Sequence, residues 1–392
     1  MARIAIIFLT FVCVFGGATF VKSIEEDFIR LPLTSLHSRS RRKADVVDPN
    51  AKKVNLWNDR NLQYGINITV GTPPQPFILH LDTGSADVWV PSVNGDCPYL
   101  CKAVNKYDSS KSSTYKEIPG KTFTLGYETG GLSGSVAEET ISFAGLEIKN
   151  QVIGIGENQD TDLNSYPLDG IIGFPWSGAT SQTDPKSTIL GNLHKNGHIK
   201  KRFACLKLHQ VNEQPGGELL LGGCDVEAEH WGRVYGNGYW EIPIDKVEAF
   251  GTDGNSLDSI CGPGSSVPDC RATFDTGAAV IGGPSYLIDP IASKLGASKY
   301  DENINDYIVD CDDQTLGNLE FTFGKFKVVM TPGDYLSKDG NTCTLGFARL
   351  DDLSALLLGD PFLRKVTLLM NQEKDEAGLA KSNIDKPVAR PT

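Results

Sequence analysis

LHLDTGS, residues 79–85, is the stretch of sequence that decides the fold, because it returns as ATFDTGA at residues 272–278. In both stretches a largely apolar run leads into Asp-Thr-Gly, as expected of a buried strand that ends in a tight turn. One such tripeptide is weak evidence, since Asp next to Gly is usually ordinary turn chemistry. Two copies predict a chain built from two related halves.

A second feature also occurs twice, and in the same order along the chain. Residues 170–173 (GIIG) join an apolar run to a glycine, and residues 356–359 (LLLG) do so again. We therefore expect two homologous lobes, residues 55–238 and residues 239–392, that meet near residues 235–243. An active groove should run between them.

The rest of the pattern favours an all-β fold. From Tyr64 onward, short apolar or alternating runs are broken roughly every eight to twelve residues by Gly, Pro, Asn or Asp. Residues 66–70 (INITV) carry apolar side chains at every second position, as a half-buried strand requires. Helical patterns are short, at residues 187–194 and 286–295.

The aspartates of the repeated motif, Asp82 and Asp275, are the candidate catalytic residues. If the lobes are related by a two-fold axis, the two turns face one another and the carboxylates share one site. Like charges at that separation cannot both ionise cheaply, so the pair holds one proton and titrates as a unit. The ionised member can take a proton from water while the protonated member polarises a carbonyl, which suits peptide-bond hydrolysis without a covalent intermediate.

The N-terminal residues have the order of parts of a signal peptide. Arg3 precedes an apolar run at residues 4–15, and small residues follow at 16–18. An uncleaved membrane anchor is the alternative, but the run is short for a bilayer span. We predict a signal peptide at residues 1–20, with no membrane association after its cleavage and a secreted or lysosomal location.

Residues 21–54 are predicted to be a propeptide. They contain the densest positive cluster of the sequence, and RSRR at residues 39–42 is typical of a dibasic processing site. Such cations can cover the carboxylates of a cleft at neutral pH and release them when the carboxylates protonate, so we expect the propeptide to inhibit the mature protein. A disordered linker with incidental arginines is the alternative.

Composition argues against several partners. The 392 residues carry a formal net charge of −12 and a pI near 5.0, whereas nucleic acid binding requires a clustered basic surface. We therefore expect no nucleic acid partner. The sequence has no CxxC pair and no histidine cluster, so we expect no metal and no cofactor.

Eight cysteines follow the predicted signal peptide, and an even number in an oxidising compartment predicts four disulfides. The pairs that the spacing suggests are Cys97–Cys101, Cys205–Cys224, Cys261–Cys270 and Cys311–Cys343. The first and third pairs would close Gly/Pro/Ser-rich loops, and the other two would bridge neighbouring strands. Metal binding is the competing interpretation.

Together these residues resemble the pepsin family of aspartic proteases, over nearly all of residues 64–380. The motifs that carry the resemblance are GTPPQ at 71–75, DTGS at 82–85, VWVPS at 88–92, DGIIG at 169–173, DTG at 275–277 and LGDPF at 358–362. Cys205 and Cys224 make the chain more similar to the nematode digestive or lysosomal, cathepsin D-like subset than to vertebrate pepsins.

This resemblance implies a bilobal all-β fold with a deep cleft and a flap hairpin. It further implies an endopeptidase that is made as a zymogen and acts as a monomer on proteins and peptides at acidic pH. A pepsin-like protein that binds peptides without cutting them is one alternative, and a storage or interaction protein is another. The intact Asp-Thr-Gly motifs favour the enzyme.

The resemblance also assigns roles to other residues. Those predicted to support the dyad are Thr83, Gly84, Ser85, Thr276 and Gly277, and those predicted for the flap and substrate pockets are Tyr127, Thr129, Gly130, Trp89, His80, Leu168, Ile171 and Tyr239. Thr83 and Thr276 would bond across the two turns, and Ser85 would donate to the first aspartate. Trp89 would support the flap that carries Tyr127. Apolar pockets favour large hydrophobic side chains on both sides of the scissile bond.

Three residues depart from the family pattern. Ala278 stands where a hydroxyl usually donates to the second aspartate, so we expect a less acidic working range. Glu128 replaces a flap glycine, and His80 replaces an aliphatic pocket residue, although its side chain could instead point away from the pocket. Separately, Asn67-Ile68-Thr69 is a predicted glycosylation sequon on a strand.

Overall fold

The computed structural model describes the backbone of residues 29–35 and, further on, residues 63–96, 105–127, 130–159, 169–176, 188–209, 216–236, 238–297, 299–311, 316–339 and 341–382. The predicted signal peptide and most of the predicted propeptide lie outside these ranges. So do Cys97, Cys101, Glu128, Thr129 and Leu168, and the side chain of Tyr127.

Strands dominate the described residues, and the predicted all-β fold is confirmed. The first eleven strands are β1 (Ile29–Ser35), β2 (Tyr64–Val70), β3 (Gln75–Asp82), β4 (Val88–Asp96), β5 (Lys116–Tyr127), β6 (Gly130–Phe143), β7 (Leu146–Gln159), β8 (Ile171–Gly173), β9 (Phe203–Leu208), β10 (Gly217–Leu221) and β11 (His230–Arg233).

The later strands are mostly shorter. They are β12 (Glu241–Ile244), β13 (Lys246–Phe250), β14 (Ser256–Cys261), β15 (Cys270–Phe274), β16 (Ile281–Gly283), β17 (Lys299–Asp301), β18 (Asp306–Val309), β19 (Asn318–Phe323), β20 (Phe326–Met330), β21 (Ser337–Asp339), β22 (Thr342–Thr344), β23 (Phe347–Arg349), β24 (Leu356–Leu358), β25 (Val366–Asn371) and β26 (Glu376–Lys381).

Helices are few and short among the described residues, as the sequence predicted. They are α1 (Ile189–Lys195), α2 (Ser285–Lys294), α3 (Pro332–Tyr335) and α4 (Asp360–Leu363), with a 3₁₀ turn at Ser109–Lys111. α1 begins after Thr188, whose hydroxyl accepts from the N–H of Gly191 and caps the helix. α1 and α2 overlap the two predicted helical stretches.

The largest sheet has the strand order β11-β26-β25-β9-β10-β1-β2-β3-β8-β4-β7-β6-β5. β25 pairs with β9 and β26 pairs with β11, so strands from the C-terminal end of the chain complete a sheet begun by the first half. Smaller sheets have the orders β12-β15-β24-β16-β23, β14-β13-β19-β20 and β17-β18-β22-β21. The two predicted lobes are therefore joined by strand pairing.

The same three-strand arrangement occurs around both Asp-Thr-Gly motifs. β3, which ends at Asp82, pairs parallel with β8, and β8 pairs antiparallel with β4. β15, which ends just before Asp275, pairs parallel with β24, and β24 pairs antiparallel with β16. The repeated GIIG and LLLG sequences thus supply the strands that lie beside the two aspartates.

Alternation along these strands builds the core. Ile66, Ile68 and Val70 on β2 are buried, whereas the intervening Asn67 is exposed. In the second half, Phe274 packs against Phe362 with ring centroids 6.0 Å apart, so the strand that leads to Asp275 is anchored by aromatic packing. Burying one such side chain contributes about 1.5–3 kcal/mol.

Three of the predicted disulfides fall within the described residues, and all three are present. Cys205–Cys224 joins β9 to the segment after β10, with its Cα atoms 5.4 Å apart. Cys311–Cys343 joins the segment after β18 to β22, and Cys261–Cys270 joins β14 to β15. The Cys97–Cys101 prediction lies outside the described residues.

Candidate active site

The first turn of the site follows directly from β3. Asp82 is 6% exposed, and its Oδ1 accepts a hydrogen bond from the N–H of Gly84 at 2.8 Å. Its Oδ2 accepts a second bond from the hydroxyl of Ser85. Both donors stabilise the ionised carboxylate.

The second turn has the same backbone but a different donor set. Asp275 is half-buried, and its Oδ1 accepts from the N–H of Gly277 at 2.7 Å. Ala278 stands at the position of Ser85 and has no hydroxyl to donate. The two carboxylates are therefore not chemically equivalent.

The glycines show how closely the two turns approach. A β-carbon on Gly84 would overlap the carboxylate of Asp275. A β-carbon on Gly277 would lie 2.7 Å from Oδ1 of Asp82 and 2.9 Å from Oδ1 of Asp275. Each glycine thus allows the aspartate of the opposite turn to come near, and the two carboxylates face a common space.

Two threonines hold this arrangement together. The N–H of Thr83 donates to Oγ1 of Thr276 at 3.0 Å, and the N–H of Thr276 donates to Oγ1 of Thr83 at 3.0 Å. The hydroxyl of Thr83 donates to the carbonyl of Phe274, and that of Thr276 to the carbonyl of Leu81. Both threonines are fully buried, so these reciprocal bonds fix one turn against the other.

His80 on β3 contacts the second turn of the site. Its side chain is 4% exposed, and Nε2 lies 2.8 Å from the carbonyl oxygen of Thr276 in the opposite turn. Burial lowers the pKa of His80, against smaller opposing effects from Asp82 and from the bond to Thr276. The physical reason for the position is the imidazole donor, which finds a buried carbonyl that an aliphatic side chain could not use.

Asp360 is a residue whose importance the sequence did not reveal beyond its place in LGDPF. It begins α4, is fully buried, and donates its N–H to the carbonyl of Ala278 at 2.9 Å. Among the described residues, its two carboxylate oxygens have no hydrogen-bond partner. Burial raises its pKa well above the usual range; nearby Arg364 opposes this rise, while Asp275 and Asp82 add to it. A carboxyl group that stays protonated at pH values above the usual range for aspartate therefore lies next to the second turn.

The structure describes several of the residues predicted for the flap and the substrate pockets. Tyr239 is 41% exposed, and its pKa is raised by burial and then by the carboxylates of Asp275 and Asp82, which places its phenol near both. Trp89 is buried and packs with Phe123 and Leu132 of the β5–β6 hairpin. Ile171 is partly buried against this cluster. The backbone of the hairpin pairs as far as Tyr127 and Gly130.

In the described parts of the chain, one group of side chains is close enough to hold a metal ion, namely Cys205, Cys224 and Asp225. The two cysteines form a disulfide, so their sulfurs are not thiolate ligands. No helix among the described residues is long and apolar enough to cross a membrane.

Comparisons with known proteins agree with this geometry. Residues 63–382 match the family model for eukaryotic aspartyl proteases. The chain is 32% identical to cathepsin D of Gallus gallus over 86% of this chain and 85% of that protein. It is 30% identical to pepsin A of Sus scrofa over 83% of each, and 32% identical to cathepsin E-B of Xenopus laevis over 83% of this chain and 81% of that protein. The chain therefore belongs to the eukaryotic aspartyl protease family and is an aspartic endopeptidase.

Proposed function

We propose that Asp82 and Asp275 form the catalytic dyad and activate one water molecule for attack on a peptide bond. The observation that carries this proposal is the mutual approach of the two turns, in which Gly277 leaves room for the carboxylates of both aspartates. The reciprocal threonine bonds support it, since they hold the two carboxylates in a fixed relation.

The two carboxylates share one proton and titrate as a pair, so the work is divided between an ionised and a protonated member. The ionised member takes a proton from water as the water oxygen bonds to the scissile carbonyl carbon, while the protonated member donates its proton to the carbonyl oxygen. The tetrahedral intermediate then collapses, the C–N bond breaks, and a proton passes to the leaving nitrogen.

The β5–β6 hairpin serves as the flap in this proposal. Its two strands pair as far as Tyr127 and Gly130, and Trp89 packs against Phe123 and Leu132 of the hairpin. Tyr127, Thr129 and Gly130 would contact the substrate from the flap. Tyr239, Ile171 and Leu168 would line apolar pockets that prefer large hydrophobic side chains.

Zymogen control by the propeptide is part of the same proposal. β1, which lies within the predicted propeptide, pairs with β10 from Ile29↔Leu221 to Leu33↔Gly217 and with β2 at Thr34↔Gly65. A propeptide strand held inside the main sheet supports a tightly bound, intramolecular inhibitor. We further propose a monomeric enzyme of the secretory pathway, either secreted or lysosomal.

The experiment is an acid digestion of denatured globin by the purified full chain, with and without a statin-type transition-state mimic. We expect fragments between about pH 3 and 6.5, the range in which such a dyad shares one proton. The mimic, Asp82→Asn and Asp275→Asn should each abolish the fragments, whereas Asp253→Asn in an exposed turn should not. Absence of cleavage across this pH range would overturn the proposal and favour a peptide-binding protein that does not cut.

A further inference from the structure

His80 connects the first half of the chain to the second turn of the site. It lies on β3 two residues before Asp82, and its buried Nε2 is 2.8 Å from the carbonyl oxygen of Thr276. A carbonyl oxygen can only accept, so Nε2 carries the proton in this contact. Nε2 is protonated both in this neutral tautomer and in the imidazolium, and the bond therefore does not depend on the charge of His80.

The carbonyl that receives this bond belongs to the peptide group between Thr276 and Gly277. The N–H of the same peptide group donates to Oδ1 of Asp275 at 2.7 Å. A donor on the carbonyl oxygen polarises the peptide group and strengthens its N–H as a donor. Imidazole, peptide group and carboxylate thus form a continuous chain of hydrogen bonds from His80 to Asp275.

This chain of bonds lies on the side of the dyad where the sequence lacks a hydroxyl. Asp82 accepts from the hydroxyl of Ser85 as well as from the N–H of Gly84, whereas Ala278 brings no hydroxyl to Asp275. We propose that His80 is a positioning residue that strengthens the bond from Gly277 to Asp275 and offsets the hydroxyl that Ala278 lacks. The inference rests on the proposed function of the dyad.

The charged neighbour that acts on His80 is the carboxylate of Asp82. β3 pairs with β2 and β8 on either side, where Gly65 and Ile171 lie opposite His80 and carry no charge. The imidazole is therefore held by burial and by its bond to Thr276, with one carboxylate beside it.

A spectroscopic test reads the hydrogen bond without requiring activity. Thr-Gly occurs three times in the sequence, at residues 83–84, 129–130 and 276–277. Full-length protein labelled with carbonyl ¹³C in threonine and ¹⁵N in glycine therefore gives three HNCO signals, and Thr276→Ser identifies the one that belongs to Gly277. We expect His80→Leu to move the Gly277 proton and the Thr276 carbonyl carbon upfield, with the other two signals unmoved.

Two variants separate the hydrogen bond from other effects of the substitution. His80→Gln keeps an N–H donor without the ring, so its Gly277 signal should stay closer to that of the unsubstituted protein than the His80→Leu signal does. His198→Leu is the control, because Nε2 of His198 makes a comparable contact, 2.6 Å from the carbonyl oxygen of Glu147. Neither residue is near the three Thr-Gly pairs in the sequence, so this substitution should move none of the three signals. Equal displacement in the Leu and Gln variants would assign the change to the lost ring and overturn the inference.

The kinetic consequence is tested on a peptide substrate as a function of pH. His80→Leu should move the acidic limb of the kcat profile to higher pH by about half a unit, the equivalent of one weakened hydrogen bond, with KM nearly unchanged. Ala278→Ser in the His80→Leu background should move the limb back. If His80→Leu is active and its acidic limb lies at the same pH as that of the unsubstituted enzyme, the inference is overturned and the proposed function is not. An unsubstituted protein that never cuts would overturn the proposed function, and the HNCO signals would still decide whether the chain of bonds exists.

Discussion

Ala278 is the residue at which the two carboxylates of the site become different. Asp82 accepts a hydroxyl donor from Ser85, and the corresponding position beside Asp275 carries a methyl group. A hydrogen bond to a carboxylate favours its ionised form, so the loss of one donor disfavours ionisation of the dyad. The acidic limb of activity should accordingly lie at a higher pH than it would with a hydroxyl at this position.

Substituting Ala278→Thr supplies the missing hydroxyl and should move the acidic limb of kcat to lower pH. A hydrogen bond to a charged group is worth about 1.5–3 kcal/mol, so we expect a displacement of about one to two pH units. The measurement is kcat against pH on one peptide substrate. Ala279→Ser, one residue further along, is the control and should leave the limb in place. An Ala278→Thr profile that superimposes on the original contradicts this account.

Asp360→Asn tests the buried carboxyl behind the second turn. The pKa of Asp360 is raised in the folded state, so its contribution to stability is present below its unfolded pKa and is lost as pH rises toward the folded pKa. The asparagine side chain is neutral at every pH, so the stability of Asp360→Asn does not fall in this way as pH rises. We expect the melting temperature of Asp360→Asn, relative to the unsubstituted protein, to be higher at pH 7 than at pH 3.

Asp253→Asn is the control of opposite sign. Hydrogen bonds from Asn255 lower the pKa of Asp253, whose contribution is therefore present at neutral pH and lost as pH falls. This variant should lose stability at pH 7 and little at pH 3. Greater destabilisation of Asp360→Asn at pH 7 than at pH 3 would show that the carboxyl is ionised in the folded protein.

Sequence reasoning at the scale of residues worked where the chemistry is local. The resemblance to the pepsin family predicted that Ser85 donates to Asp82, which lies three residues earlier in the same turn. The contact of His80 with Thr276 joins positions separated by 196 residues, and no local pattern carries it. The burial of Asp360 likewise depends on how α4 packs, which the LGDPF motif does not state.

The secondary-structure elements repeat more faithfully than the residues do. β3, β8 and β4 in the first half have the same pairing as β15, β24 and β16 in the second. The sequence revealed this duplication because each central strand keeps an apolar run next to glycine. One of these glycines is Gly170. Glycine is required there because φ is +146° and a β-carbon would overlap the carbonyl oxygen of Trp89.

β2 carries a prediction about glycosylation. Its alternation leaves Asn67 exposed, beside an open groove of about 510 Å³ that Pro76, Phe77 and Phe143 help to line. An exposed sequon asparagine is accessible for modification, so we expect one N-linked glycan on protein from a eukaryotic secretory host. Removal by an N-glycosidase should lower the mass, as should Asn67→Gln and Thr69→Ala.

Asn150→Gln is the matched control for this modification, because Asn150 lies in an exposed part of β7 and outside any sequon. Its mass should still fall on treatment with the glycosidase. A secreted protein whose intact mass equals that of the polypeptide alone would contradict the prediction.

At the scale of the whole molecule, β1 ties the predicted propeptide to the rest of the chain. It lies between β10 and β2 in the largest sheet and already contains one proline, Pro32, so a second proline would remove a further N–H from the strand. Leu33→Pro should therefore weaken this pairing and shorten the lag between acidification and the first cleavage of a peptide substrate. Ala44→Pro, in the predicted propeptide but outside β1, is the control. An unchanged lag in Leu33→Pro would contradict a role of β1 in latency.

The overall connection of the halves was only partly predictable. The two Asp-Thr-Gly motifs predicted two related halves, because each motif consists of a few consecutive residues and can be recognised without knowledge of the fold. The return of β25 to β9, with Thr367 opposite Lys207, has no local signature, since pairing between distant strands depends on the folded arrangement. The division at residues 238 and 239 remains a prediction.

The most direct test of the central claim is a double-mutant comparison of kcat for the unsubstituted enzyme, Asp82→Asn, Asp275→Asn and the double variant on one peptide at acidic pH. If the carboxylates act as one unit, each single substitution should cost on the order of 10⁴-fold, and the double substitution little more. Substantial activity in either single variant, or a double variant in which the two losses multiply, would contradict a dyad that shares one proton.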